Sequence, residues 1–125
     1  MRAYIDSDIL IWHLRGEKKA LKFFKKIKEE YSLFTGAMQR AEVTFFMREN
    51  EKEETLLFLS QFETTSVSQE IVDKASSLYR KWNPSNGIDP NDAILAATAQ
   101  ITGGKIFTLN TKHFPMKDIV VSKAW

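Results

Sequence analysis

The chain has 125 residues, with 18 Lys or Arg against 16 Asp or Glu, 43% hydrophobic residues and no cysteine. That size and balance suit one globular domain, residues 1–125, with its own core, and they argue against collagenous, disordered and disulfide-stapled classes. A net charge of +2 is too slight to mark a nucleic-acid binder by itself, and the lack of cysteine removes thiolate metal sites and Cys nucleophiles.

The first predicted element is a buried strand, Ala3, Tyr4 and Ile5. Asp6, Ser7 and Asp8 follow, and each is a good N-cap for a helix opening on the apolar run Ile9 to Trp12. The acids therefore fall at a strand-to-helix turn, the place where parallel α/β sheets bind ligands. They also stand where a signal peptide would need apolar residues, and no segment is apolar enough to span a bilayer. The protein is expected to stay in the cytosol, away from membranes.

In "EKKALKFFKKIKEE", Leu21, Phe24, Ile27 or Lys28, and Tyr31 recur at helical spacing. The lysines between them (Lys18, Lys19, Lys22, Lys25, Lys26) read as a solvated helix face, with contact to a phosphate backbone as the alternative. "YSLFTG" predicts a second strand, followed by a helix from about Ala37 to Arg48 and another around "EETLLFLSQF". "ETTSV" is a third strand, and Ser68 caps a helix running to about Trp82. "NPSNGIDP" reads as a loop. "DPNDAILAATAQITGG" is a helix with Asp89 as N-cap, Pro90 in its first turn and Gly103 and Gly104 at its end. "KIFTL" is then a buried strand and "IVV" a short last one. There is no repeat or linker, and the alternation of strands and helices predicts a mostly parallel sheet covered on both faces.

Four polar positions stand out. Asp6 lies at the carboxyl end of the first strand, where it is either a helix cap or part of a site. Glu42 falls within the apolar stripe Met38, Ala41, Phe45 and Phe46. A carboxylate on a core-facing stripe needs a donor or a cation, unless it curls out to water or pairs with Arg40 or Arg48. Asp92 forms a variant capping box with Asp89, yet the small apolar helix beyond it, "AILAATA", belongs against the sheet and aims this first turn at the edge that holds Asp6. Asn110 directly follows a strand, as a turn former or as a neutral oxygen ligand. If these four converge, a divalent cation relieves the crowding of acids, and carboxylate oxygens suit Mg²⁺ or Mn²⁺ better than Zn²⁺. A hard metal site of this kind suits phosphoryl chemistry. His13 and His113 make no metal-binding spacing and read as ordinary histidines.

"YIDSDILI", "AEV", "NDAILAATA" and "TLNTKHF", in this order, resemble the PIN-domain ribonucleases, specifically the VapC-like toxins of toxin-antitoxin pairs. The resemblance implies a three-layer α/β/α domain with an acidic pocket for Mg²⁺ or Mn²⁺, cleavage of RNA, silencing by a cognate antitoxin, and a homodimer. It assigns Asp6, Glu42 and Asp92 to the three core acids and Ser7 to the small hydroxyl residue that helps orient them. Asn110 and His113 match positions where many members carry further acids, and Asp89 is a partial substitute or only a cap. The aromatic-rich segments "VTFFM" and "LLFLSQF" are either core or, as the resemblance implies, part of a groove for an antitoxin segment. Two other classes compete. A receiver domain is disfavoured because Ser68 and Gln69, with no Asp, follow "ETTSV". A degenerate, non-catalytic PIN domain acting as a binding module would be distinguished by its lack of metal-dependent RNA cleavage.

Overall fold

A computed structural model describes residues 1–125. Five strands, β1 (Arg2–Ile5), β2 (Ser32–Gly36), β3 (Glu63–Thr65), β4 (Lys105–Thr108) and β5 (Val120–Lys123), form one sheet in the order β3-β2-β1-β4-β5. Every pairing in it is parallel. Six helices connect or cover the strands: α1 (Ser7–Leu14), α2 (Lys18–Glu30), α3 (Ala37–Thr44), α4 (Lys52–Leu59), α5 (Gln69–Asn86) and α6 (Pro90–Thr102). No helix is long and apolar enough to cross a membrane.

The strands alternate between two cores, as side chains with a period of two must. Tyr4, Phe34 and Ile106 face α5 and α6, in a cluster with Leu78, Leu95 and Ile119. Ala3, Ile5 and Phe107 face the other way, in a cluster with Leu10, Phe24, Phe58 and Phe62 from α1, α2 and α4 or its end. The expected three-layer α/β/α arrangement is therefore present, with a wholly parallel sheet. Tyr4 is fully buried, and its hydroxyl satisfies its polarity by bonding to Thr65 Oγ1 at 3.0 Å and Thr102 Oγ1 at 2.7 Å. Its ring also packs under β4, where a Cβ on Gly104 would stand only 2.8 Å from the ring carbons.

Four local expectations are corrected. The helix expected to reach Arg48 ends at Thr44, and Phe45 and Phe46 are 77% and 83% exposed, so they belong to no core stripe. The buried positions of α3 are Gln39 and Val43. On α2 the inward residues are Ala20, Phe24 and Ile27, while Leu21 is largely exposed. α5 runs past the expected stop at Trp82, through Pro84, and ends where Gly87 adopts a left-handed φ of 63°. A proline late in a helix removes only one backbone bond, and Gly87 takes the terminating conformation that other residues resist. Finally, β3 is only three residues long and β5 begins one residue later than "IVV".

Candidate active site

Chain order produces the site. From β1 the sheet grows outward to β2 and β3, then returns to place β4 on the other side of β1. The connections leaving β1 and β4 thus diverge, and a crevice opens at their carboxyl ends. Asp6 stands at this point. Its N–H donates to the Phe107 carbonyl at 3.0 Å, and one carboxylate oxygen caps α1 by accepting from the Ser7 N–H at 2.8 Å. The other accepts from Thr108 Oγ1 at 2.8 Å.

Asp8 was legible only as a further cap. It accepts from the Ile9 N–H at 2.8 Å, but its second oxygen crosses to β4 and accepts from the Leu109 N–H at 3.0 Å. No pattern in the sequence signals that bond, which spans 101 positions.

Glu42 is half-buried on the second turn of α3, which starts at the same edge because it follows β2. Ser7 Oγ donates to it at 3.2 Å, and Asn91 Nδ2 donates weakly at 3.4 Å. It pairs with neither Arg40 nor Arg48. Asp92 and Asp89 form a reciprocal capping box at the start of α6, with bonds of 2.8 and 3.1 Å. Asp92 also meets His113 Nδ1 at 3.1 Å. That contact corrects the reading of His113 as an ordinary histidine. Asn110 Nδ2 lies 3.1 Å from the same ring nitrogen, which either donates to Asp92 or accepts from Asn110, so Asn110 and Asp92 compete for His113. His13 lies elsewhere, stacked on Phe58 at 4.1 Å.

The electrostatics follow from burial without compensation. Asp6 is only 8% exposed, and burial, with Asp8 and then Asp92 adding repulsion, raises its pKa to about 7 against the opposing Thr108 and Ser7 hydrogen bonds. Burial, together with the charge of Asp89, lifts Asp92 to about 6, although His113 acts the other way. Glu42 and Asp8 are shifted upward as well, in each case first by desolvation. No lysine or arginine pairs with any of these groups.

The carboxyls share a crevice but do not converge on a single point: no three acidic or imidazole groups stand close enough together to hold an ion between them. Asp92 is committed to its cap and to His113, and Glu42 to Ser7 and Asn91. The donors still fit a hard divalent ion, since they are almost all carboxylate oxygens and their mutual repulsion has no cation to relieve it. Occupation would require Asp92 and Glu42 to exchange these partners.

The PIN domain family model matches residues 3–119. The chain is 33% identical over 113 residues to Ribonuclease VapC10 of Mycobacterium tuberculosis, covering 90% of this chain and 85% of that one. It is 32% identical over 114 residues to Ribonuclease VapC19 of the same organism, covering 90% and 91%. Among solved structures, a toxin-antitoxin complex from Klebsiella pneumoniae superposes with a TM-score of 0.81 at 25% identity over 98% of both chains. VapBC2 from Rickettsia felis, bound to a DNA fragment from its promoter, reaches the same TM-score at 18% identity over 100% of this chain and 99% of that one, a likeness of fold alone. An acidic crevice at the β1/β4 switch, a family match across almost the whole chain and relatives of nearly equal length agree, and the chain belongs to the PIN-domain family, among its VapC-like members.

Proposed function

We propose that the protein is a ribonuclease toxin of the VapBC type, hydrolysing RNA phosphodiester bonds with Mg²⁺ or Mn²⁺ and held inactive by a cognate antitoxin. The observation that carries this reading is the group Asp6, Asp8, Glu42 and Asp92, crowded at one sheet edge with no lysine or arginine to balance it. Such a crevice repels RNA unless a cation enters with it. A bound divalent ion would neutralise charge on the scissile phosphate and make a water molecule more acidic.

In this reading Asp6 and Asp92 hold the ion, and Glu42 is a further ligand or accepts a proton from the attacking water. Glu42 suits that second role because burial makes its carboxylate more basic than an ordinary one. Ser7 holds Glu42 in place through its hydroxyl. Asn110 and Asp89 act in support, Asn110 by fixing His113 and Asp89 by fixing the first turn of α6. Hydrolysis leaves a 5′-phosphate and a 3′-hydroxyl. The antitoxin covers the exposed aromatic residues that follow α3, and the active form is a homodimer in the cytoplasm.

The test is cleavage of structured and unstructured RNAs by purified protein with Mg²⁺, with Mn²⁺ and with EDTA, beside Asp6→Asn. Metal-dependent cleavage that the variant lacks supports the reading. Equal cleavage by a folded Asp6→Asn protein would sink it, and no cleavage under any condition would favour a non-catalytic binding module.

A further inference from the structure

Away from the acids, a groove of about 580 Å³ runs between α2 and the β4-β5 side of the sheet. Lys19, Lys22 and Lys26 reach it from α2 and Lys105 from β4, β5 borders it at Ser122 and Lys123, and Glu30 is the only acidic side chain on its walls. None of these lysines is in an ion pair, although α2 ends on two glutamates. Between them stand half-buried Phe23, Tyr31 and Trp125 over a floor of buried Phe107. The Lys105 ammonium lies 5.0 Å from the Phe107 ring centre and 5.9 Å from that of Tyr31.

The position of the groove matters as much as its charge. Lys123 is in register with Thr108, whose hydroxyl holds Asp6. Lys105 lies three residues back along β4, roughly 10 Å down the strand. The groove therefore begins one strand from the acidic crevice and leads away from it along the α2 face.

We propose that this groove is an accessory binding site for single-stranded RNA, seating the part of the strand that extends beyond the catalytic crevice. The proposal rests on the ribonuclease reading and adds to it a second contact surface on the same chain. Lysines at its rim bind phosphates, and the accessible parts of Tyr31 and Trp125 offer stacking surfaces to unpaired bases. Interleaved cations and aromatic rings suit a polymer with a charged backbone and flat bases better than an acidic polypeptide, which would use only the charge. Duplex RNA keeps its bases stacked on one another and has no use for the rings.

The experiment compares Lys22→Glu/Lys26→Glu with a control of equal charge change on α5, Lys74→Glu/Lys81→Glu. All four positions are exposed, so both variants should keep the wild-type melting temperature. Binding of fluorescein-labelled oligouridylates of about 16 and about 4 nucleotides is followed by anisotropy in EDTA at several salt concentrations. The groove variant should lose about tenfold or more in affinity for the longer strand, with a salt slope shallower by about 1.4, while the control stays near wild type. Its cleavage of the short strand in Mn²⁺ should stay within about twofold of wild type, because the short strand does not need the groove. Equal loss in both variants, or loss in neither, overturns the groove assignment. Tighter binding of polyglutamate than of oligouridylate at these lysines overturns it too. Selective loss of binding in a protein that cleaves nothing leaves the groove standing and removes the nuclease reading.

Discussion

Thr108 Oγ1 lies 2.8 Å from Asp6 Oδ2 and 3.4 Å from Asp8 Oδ2, so a single hydroxyl from β4 serves two carboxylates that flank the start of α1. The same oxygen accepts the Asn110 N–H at 3.1 Å. Thr108→Val keeps the shape but removes all three contacts. It should destabilise the protein by about 1–3 kcal/mol, measured by urea unfolding, because buried polar groups lose their partner. Thr108→Ser should recover most of the loss. A neutral Thr108→Val would mean that water replaces the hydroxyl.

The raised pKa of Asp6 gives stability a definite pH dependence in metal-free protein. The carboxyl has its ordinary value of 3.8 when the chain unfolds and about 7 when folded, so between these values the folded state holds more protons. Stability from this group is full below about pH 4 and is lost as pH rises through 7. Asp6→Asn, which cannot ionise, should therefore gain on wild type between pH 4 and 7, by about 4 kcal/mol at most. Unfolding midpoints at pH 5 and pH 8 in EDTA test this. A gap that stays constant across that range would show that Asp6 is not the titrating group.

Addition of Mn²⁺ or Mg²⁺ at pH 8 should reverse part of that loss. The melting temperature of wild type should rise with metal concentration, since a ligand that binds only the folded state stabilises it. Asp6→Asn and Asp92→Asn should respond much less. An equal rise in all three proteins would place the ion elsewhere.

Glu42→Gln separates chemistry from folding. The side chain keeps its shape, its amide oxygen can still accept from Asn91 Nδ2 while its nitrogen donates to a reversed Ser7 hydroxyl, and it loses a charge that burial disfavours, so stability should change by less than about 1 kcal/mol. RNA cleavage should fall by about a hundredfold or more if Glu42 binds the ion or takes a proton from water. Single-turnover rates with a fixed oligonucleotide read the difference.

Phe45 and Phe46 project from the turn after α3, and Phe46 borders a half-apolar groove with Ile11, Leu14 and Val43. Phe45→Ser/Phe46→Ser should leave the melting temperature of the isolated protein within about a degree, since exposed substitutions usually change stability by less than ~0.5 kcal/mol. The same change should weaken binding of the cognate antitoxin at least tenfold by calorimetry, as expected when aromatic anchors are truncated. Unchanged affinity would remove these rings from the interface.

The sequence was most legible where a local rule had one reading. The start of α6 is such a case: Asp89, Pro90 and Asp92 supply cap, first turn and reciprocal bond within four residues, and the structure shows that box. Helix ends without punctuation were harder. Nothing after Thr44 is Gly or Pro, so the apolar spacing ran on through Phe45 and Phe46 although the backbone does not. Pro84 misled in the other direction, because the terminating residue is Gly87. Around the crevice, residue type and position after a strand pointed to Asp6 and Asn110, but the Asp8 bond to Leu109 and the His113 contact with Asp92 depend on which strands become neighbours. Chain topology settles those contacts, and a single stretch of sequence does not carry it.

The sheet has two open rims, β3 and β5. β3 offers a neighbour three residues of backbone, and β5 offers four, ending on Lys123. Strands so short give an approaching molecule little to hydrogen-bond with, which guards against runaway fibre-like stacking. Pairing of copies edge to edge is therefore disfavoured, which leaves the helical flanks as the broader surfaces of the molecule.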